Sequence, residues 1–468
     1  MSNPRDRKSA PVPQSRMSRL ARMGSLAGRI AGNVIFESGR HLAQGKRPVM
    51  SDLLLTPNNL HQVADKLSNM RGAAMKVGQL LSMDSGNLLP DELSSILERL
   101  RSDAVTMPMS QLVMVLERHW GKDWNERFSR FSFEPLAAAS IGQVHEATCK
   151  QGRHLAIKVQ YPGVRQSIDS DIDNVYGLLR MTGIIPKKLD LQQLLGEARQ
   201  QLKQEADYLM EGAHLDAYRK HLQTFKRNDD LIIPAFHADL STHEILTMDY
   251  VAGDSLDTLR DMSAEKRTDI MSLIFSLFFA ELFDFKCVQT DPNLANYLYQ
   301  ADNHKLVLLD FGAVRVFNQG FVKKYQNAMC AAVHQDRQAL DAALQVLGFF
   351  KNGIKVANRK VVLDIFMMAA EPLRHNGDYA FGQSDLAKRI QARGLSVSGD
   401  PDAWHTPPPD VLFLHRKMAG LYLMASRLNA SVNVHVLFAQ YLQRPAAPDP
   451  TVGLACHRVD SLYHDLQP

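Results

Sequence analysis

Two carboxylates and one amide set the chemistry open to this chain. Asp291 and Asn296 stand five positions apart in "QTDPNLAN", and an Asp-Phe-Gly triplet begins at Asp310, nineteen positions after Asp291. Asp310 supplies a carboxylate and Asn296 an amide oxygen, hard donors of the kind that hold Mg²⁺ against nucleotide phosphates. Asp291 is placed to accept a hydroxyl proton or to orient an attacking group. A lone Asp-Phe-Gly triplet is a common loop sequence. Here it follows two apolar runs flanking the turn-forming Asp302-Asn303, a paired-strand signal that fixes its distance from Asp291. The chemistry indicated is phosphoryl transfer from a Mg²⁺-bound nucleotide.

The order and D-x-x-x-x-N spacing match a kinase catalytic loop and its metal-binding triplet. Upstream, Lys158 lies in "HLAIKVQYP", a V-A-I-K-like strand with Leu155 in the first place. About twenty residues earlier, where a phosphate-covering loop belongs, stand Ala137, Ala138, Ala139 and Ser140 instead of a glycine-rich run. Alanine resists the left-handed conformations glycine allows, so this cradle is expected to be stiffer and differently shaped. A carboxylate must hold the strand lysine, and "QLKQEADYLMEGAH" offers Glu205, Asp207 and Glu211. On one continuous helix Glu205 and Glu211 would lie about 240° apart, so two lysines are implied. The backbone of Asp249, Tyr250 and Val251, in "EILTMDYVAGDSLD", reads as the lobe connector that meets adenine. A peptide-phosphorylating enzyme is the weaker reading. Only "AVRVFNQG" separates Gly312 from the next helical run, with no activation segment, and Gln289-Thr290 replaces the usual His-Arg.

These residues need elements to position them. Residues 1–50 read as a basic, partly disordered segment with an amphipathic helix. Residues 51–130 read as a helical extension, and 131–253 as a small lobe of short strands and helices. Residues 254–444 read as a helical lobe, and 445–468 as an irregular tail. Gly72 and Gly78 interrupt an otherwise good helix around Lys76, which points to a close backbone approach or to simple packing through small residues.

The 468 residues are 45% hydrophobic and 22% charged, the composition of an ordinary folded protein. Residues 1–50 hold ten Lys/Arg against two Asp/Glu, a surplus of eight, so the remaining 418 residues carry a net −4. Met17, Leu20, Met23, Leu26 and Ile30 form an apolar stripe, with Arg16, Arg19, Arg22 and Arg29 mostly off it. This pattern suits a helix packed on the body or one lying on an anionic membrane surface. No aromatic residue interleaves with these arginines, so nucleic acid is not the expected partner. The longest apolar stretch, Met271 to Phe285, is broken by Glu281 and Asp284 and is too short to cross a bilayer. Cys149, Cys287, Cys330 and Cys456 form no CxxC pair, which fits a reducing cytoplasm.

The motifs together resemble the AarF/UbiB family of atypical kinase-like proteins over about residues 15–440. The resemblance rests on Lys76-Val77-Gly78-Gln79, Ala137 to Ser140, Glu205-Ala206-Asp207, "QTDPNLAN" and Asp310-Phe311-Gly312. It implies an α+β, two-lobed protein-kinase-like fold with a helical N-terminal extension covering the active site. It further implies that Lys158 pairs with Glu211 and Lys76 with Glu205, with Gln79 in the same motif. ATP and Mg²⁺ are the implied cofactors, and the implied activity is that of an atypical kinase or ATPase supporting ubiquinone synthesis. The implied partners are an anionic membrane surface, lipid-like quinone intermediates and other quinone-biosynthesis proteins. The site would be peripheral at the inner membrane, with oligomeric state open, a homodimer included. A small-molecule phosphotransferase and a nucleotide-regulated scaffold are the competing readings.

Overall fold

The computed structural model describes residue 67 and residues 70–84, 106–181, 192–256, 261–350, 354–396 and 408–442. The basic segment 1–50, the 85–105 part of the expected helical extension, the 445–468 tail and the Gln79 side chain lie outside the described residues. Within them the chain falls into two units. The first runs to Gly212 and adds Phe236–Tyr250; the second holds Ala213–Ala235 and everything from Val251.

In chain order the elements begin with α1 (Arg71–Asp84), α2 (Met109–Trp120), β1 (Phe128–Ala138), β2 (Gly142–Cys149) and β3 (His154–Gln160). Then come α3 (Val164–Met181), α4 (Gln192–Glu205), α5 (Tyr208–Leu222), β4 (Leu231–Ile232) and β5 (Ile245–Asp249). The first unit is built on an antiparallel sheet of order β1-β2-β3-β5. One sheet face is covered by α2. Its Leu112, Val115, Leu116 and Trp120, one helical stripe, pack with Leu155, Ile157 and Val159 of β3. Because side chains alternate across a strand, Ala156, Lys158 and Gln160 point to the opposite face. That alternation puts a lysine in the middle of a central strand without burying it in the apolar layer. On the helical side, α1 packs against both α3 and α4.

Two differences from the sequence reading have physical causes. β1 starts at Phe128, so the boundary expected at residue 131 falls inside a strand, and Ala137 and Ala138 are strand residues paired with Val144 and Gln143. β1 is irregular, with register breaks around Pro135 and mostly exposed residues, so no clean alternation marks it. Also, Leu231 and Ile232 of the β-like run "LIIPAF" do not join the small lobe's sheet, although Phe236 at its end bridges Met248 of β5. Leu231 and Ile232 pair in parallel with Leu306 and Val307, which draws 213–235 into the second unit.

The second unit continues with β6 (Asp254–Ser255), α6 (Ala264–Ala280), β7 (Cys287–Gln289), β8 (Tyr297–Gln300), β9 (Lys305–Leu308) and β10 (Val314–Val316). It ends in α7 (Gln319–Val333), α8 (Arg337–Val346), α9 (Val356–Ala369), α10 (Glu371–Arg374), β11 (Tyr379–Ala380), α11 (Leu386–Leu395), α12 (Pro409–Arg427), β12 (Ser431–Val432) and α13 (Val434–Leu442). The apolar stretch Met271–Phe285 is the buried end of α6 and a π-turn. Among the described residues no helix is long and apolar enough to cross a membrane. The expected hairpin is β8 and β9, antiparallel around Asp302-Asn303, with His304 taking a left-handed backbone at φ 56°.

One buried histidine makes the first unit acid-sensitive. Met107 N–H donates to Gln143 Oε1, so Gln143 turns its Nε2 hydrogens toward His145 Nε2 at 2.9 Å. His145 Nε2 is thereby an acceptor, and its Nδ1–H donates to the Ser132 carbonyl at 2.8 Å. Burial lowers the imidazole from its ordinary 6.5 to about 4. The unfolded chain therefore binds a proton that the folded one refuses, and stability falls as pH drops below 6.5. Between pH 7 and 5 this residue is expected to remove about 2 kcal/mol. Urea denaturation at both pH values should show a correspondingly smaller loss in His145→Gln, and equal losses would contradict it.

Candidate active site

The first unit supplies a buried cation. Lys158 Nζ lies 3.0 Å from both carboxylate oxygens of Glu211, with the lysine 8% and the glutamate 1% exposed. The ammonium also sits 5.0 Å above the Tyr208 ring. Two oxygens on one ammonium fix its orientation.

The helix expected to carry both glutamates is two helices. α4 ends at Glu205 and α5 begins at Tyr208. Asp207 produces the break: its Oδ1 accepts from Met210 N–H, as an N-capping carboxylate does, and from His243 Nδ1 at 3.1 Å. Gln160, buried in β3, donates from Nε2 to the Ala206 and His243 carbonyls and ties the break to the sheet. Two lysines are indeed engaged, though the separation arises from two helices rather than from a 240° turn of one. Glu205 pairs with Lys76 of α1, itself 4% exposed.

Gly72 explains how α1 can reach that position. A Cβ there would fall 2.7 Å from Ile141 Cγ2 and 3.5 Å from the Ser140 carbonyl oxygen, so the helix backbone packs directly on the Ile141 side chain at the tip of the alanine hairpin. Ala139 N–H donates to Gly142 O at 2.8 Å and closes the hairpin. None of residues 137–142 takes a left-handed backbone, as the alanine composition requires. At the connector, Tyr250 N–H donates to the His154 carbonyl and its ring stacks on His154, so this N–H is committed to the sheet and not presented to adenine. The Asp249 side chain bonds His237 Nε2 through Oδ1 at 2.7 Å.

The second unit holds Asp291, Asn296 and Asp310, the residues expected to accept a proton and to bind metal. Thr290 bonds the Ala313 carbonyl through both N–H and Oγ1, fixing the loop start beside β10. Asn296 Nδ2 donates to Asp291 Oδ2 at 3.2 Å and to the Asp291 carbonyl at 3.3 Å. Its Oδ1 is accordingly the end turned away from Asp291. Asp310 Oδ1 accepts from Gly312 N–H at 2.9 Å, which orients that carboxylate. Phe311 is fully buried against Tyr218, and His214 Nδ1 bonds its carbonyl at 3.2 Å. One carboxylate and one amide oxygen suit Mg²⁺, which takes few protein ligands and completes its shell from phosphates and water. No cluster of three or more His, Cys, Asp or Glu side chains able to hold a metal occurs among the described residues.

Sequence reasoning missed a second tier of residues beneath this loop. Arg416 of α12 donates to Asp291 Oδ1. Lys417, 2% exposed, donates to Gln289 Oε1 at 3.0 Å and to the Tyr297 hydroxyl at 3.2 Å. Gln289 Nε2 in turn reaches the Asp310 carbonyl at 3.4 Å. Glu281 lies 4.0 Å from Lys417 and accepts from the Tyr218 hydroxyl. Burial pushes the Glu281 carboxyl up, while Lys417 and Tyr218 pull against it. The available signal was "VLFLHRKMAGLYLMA", where two adjacent cations interrupt a helix otherwise apolar enough to be buried.

The ABC1 atypical kinase-like domain matches residues 99–344. The mitochondrial atypical kinase COQ8 of Saccharomyces cerevisiae is 36% identical over 433 residues, covering 92% of this chain and 86% of the yeast protein. The mitochondrial atypical kinase COQ8B of Rattus norvegicus is 37% identical over 454 residues, covering 96% of this chain and 84% of that protein. Among solved structures, Rv3197 from Mycobacterium tuberculosis, determined as an erythromycin complex, superposes with a TM-score of 0.58 at 25% identity, covering 82% of this chain and 95% of that one. The kinase-like spacing of Asp291, Asn296 and Asp310, the Lys158–Glu211 pair and these likenesses agree, and the chain belongs to the ABC1 atypical kinase-like family, the AarF/UbiB group its motifs resemble.

Proposed function

We propose that this atypical kinase uses ATP with Mg²⁺ at a membrane surface in support of ubiquinone biosynthesis, acting on or extracting lipid-like quinone intermediates. The observation that carries the reading is the Asp291–Asn296 pairing followed by an Asp310 carboxylate oriented by Gly312. Lys158, aimed by both oxygens of Glu211, binds phosphate oxygens. Asn296 and Asp310 would hold Mg²⁺, which would supply positive charge against the phosphates. Asp291 takes the proton of the attacking hydroxyl or orients water. Ala137, Ala138, Ala139 and Ser140 border the phosphates, and adenine recognition falls to Val251 and the carbonyls beside it. Lys76, with Gln79, contributes from α1.

The short link from Gly312 to the Asn318-capped α7 leaves no segment to seat a peptide, which favours water or a small lipid-like acceptor. Membrane recruitment is assigned to the basic residues 1–50, and the inner membrane is the proposed location. Other quinone-biosynthesis proteins and a second copy of the chain are the proposed protein partners.

Phosphate release from Mg²⁺-ATP, measured with phosphatidylglycerol vesicles, with neutral phosphatidylcholine vesicles and with none, tests this. Release should rise several-fold with anionic vesicles only, and the stimulation should fade as salt screens the basic segment. Equal rates in all three would refute membrane coupling. Phosphate transferred to a soluble alcohol would establish the small-molecule phosphotransferase instead. Complementation by Asp291→Asn and Asp310→Asn variants would establish the scaffold.

A further inference from the structure

We propose that α12 is the positioning element of the catalytic loop, with Arg416 as the residue that sets the angle of the Asp291 carboxylate. The proposal rests on the phosphoryl-transfer reading above. Two independent contacts carry it.

The first is the grip on Asp291. A carboxylate on a loop can rotate about two side-chain bonds, and a single hydrogen bond leaves one of those rotations open. Here each oxygen has its own partner, Oδ1 with Arg416 and Oδ2 with Asn296, so both rotations are fixed. Arg416 is 9% exposed and approaches from a helix 125 positions away in sequence, outside the loop it orients. A planar guanidinium suits this task better than an ammonium, since its donors are fixed in direction.

The second contact is made by Gly420, one helical turn after Arg416 and on the same face. A Cβ at Gly420 would lie 2.1 Å from Pro292 Cγ and 2.2 Å from Pro292 Cβ. No side chain fits, so α12 meets the residue following Asp291 at backbone distance. Lys417 lies between these contacts in sequence. It holds Gln289, whose amide bonds the Asp310 carbonyl, so one helix steadies the segment from Gln289 to Pro292 and reaches toward the metal triplet. The departure from His-Arg to Gln289-Thr290 thus has a function: Gln289 hands the orienting task to α12.

A positioning role predicts a particular kinetic split, because a displacement of about 1 Å in a reacting group can cost 10²-fold in rate without touching substrate binding. Mg²⁺-ATP hydrolysis by Arg416→Gln should show kcat lowered about 10²-fold with KM for ATP within twofold of wild type. Arg416→Lys, which keeps the charge but not the fork, should fall between. In an Asp291→Asn background the Arg416→Gln change should add almost nothing, since the residue acts through Asp291. Gly420→Ala should reproduce the kcat loss by pushing the helix off Pro292. Leu423→Ala, at an exposed position of the same helix, should be silent.

Unchanged kcat in Arg416→Gln, or effects that multiply with Asp291→Asn, would overturn the proposal. So would failure of both Arg416 variants to fold, which would make the residue purely structural. The proposed function fails separately, when wild type releases no more phosphate than Asp310→Asn.

Discussion

Asp310→Asn is expected to lower Mg²⁺-ATP hydrolysis by about 10³-fold while leaving the protein folded. The exchange is nearly isosteric, and an asparagine Oδ1 can still accept from Gly312 N–H, the bond that orients the side chain at 2.9 Å. What is lost is the negative charge facing the metal, in a site where the remaining protein ligand is the neutral amide of Asn296. A factor of 10³ corresponds to about 4 kcal/mol of transition-state stabilisation, reasonable for the sole charged protein ligand proposed for the metal. Steady-state phosphate release, read beside a thermal melt, checks it. Activity within tenfold of wild type at an unchanged melting temperature would remove Asp310 from the metal site.

Lys158→Met should act on stability as strongly as on catalysis. It leaves Glu211, 1% exposed, as a buried carboxylate stripped of its ammonium, an arrangement that costs about 3–5 kcal/mol. Combining it with Glu211→Leu removes the stranded charge, and stability should recover to within about 1 kcal/mol of wild type. Hydrolysis should stay lost in the double variant, because the cation proposed to meet the phosphates is gone. Urea denaturation and phosphate release on both variants separate the effects. If the double variant remains as unstable as the single, the pair is held by more than mutual neutralisation. If it regains activity, Lys158 is not the phosphate-binding cation.

The parts of this site legible in the sequence are those whose partners are near in the chain or whose spacing is imposed by a loop. Asp291, Asn296 and Asp310 are tied by a short loop and one hairpin, and β3 announces Lys158 through its alternation. The helix break at Ala206-Asp207 was harder, since no glycine or proline marks it. Its agent is a capping aspartate set inside a helix-compatible run, and its anchors, Gln160 and His243, are brought in only by the fold. β1 escaped notice because its irregular pairing and exposed edge remove the period-two signal. The role of Arg416 and Lys417 was hidden for a related reason: the significance of a cation in an apolar helix depends on which loop the helix meets, here one more than a hundred residues upstream.

The parallel pairing of β4 with β9 also sets a timetable for the ribosome. Once Tyr250 has emerged, all residues of the first unit are available, yet Leu231 and Ile232 still lack the strand they will join. At synthesis rates of about 5–20 residues per second, Leu306 and Val307 follow Tyr250 by roughly 3–11 s. Through that interval the nascent chain carries an unmated strand bracketed by a completed unit, the type of edge chaperones shield. Neither unit is a contiguous stretch of polypeptide. A chain cut after Tyr250 would thus strand 213–235 away from its own half of the molecule, and dissection of this kinase into working pieces must respect that interleaving.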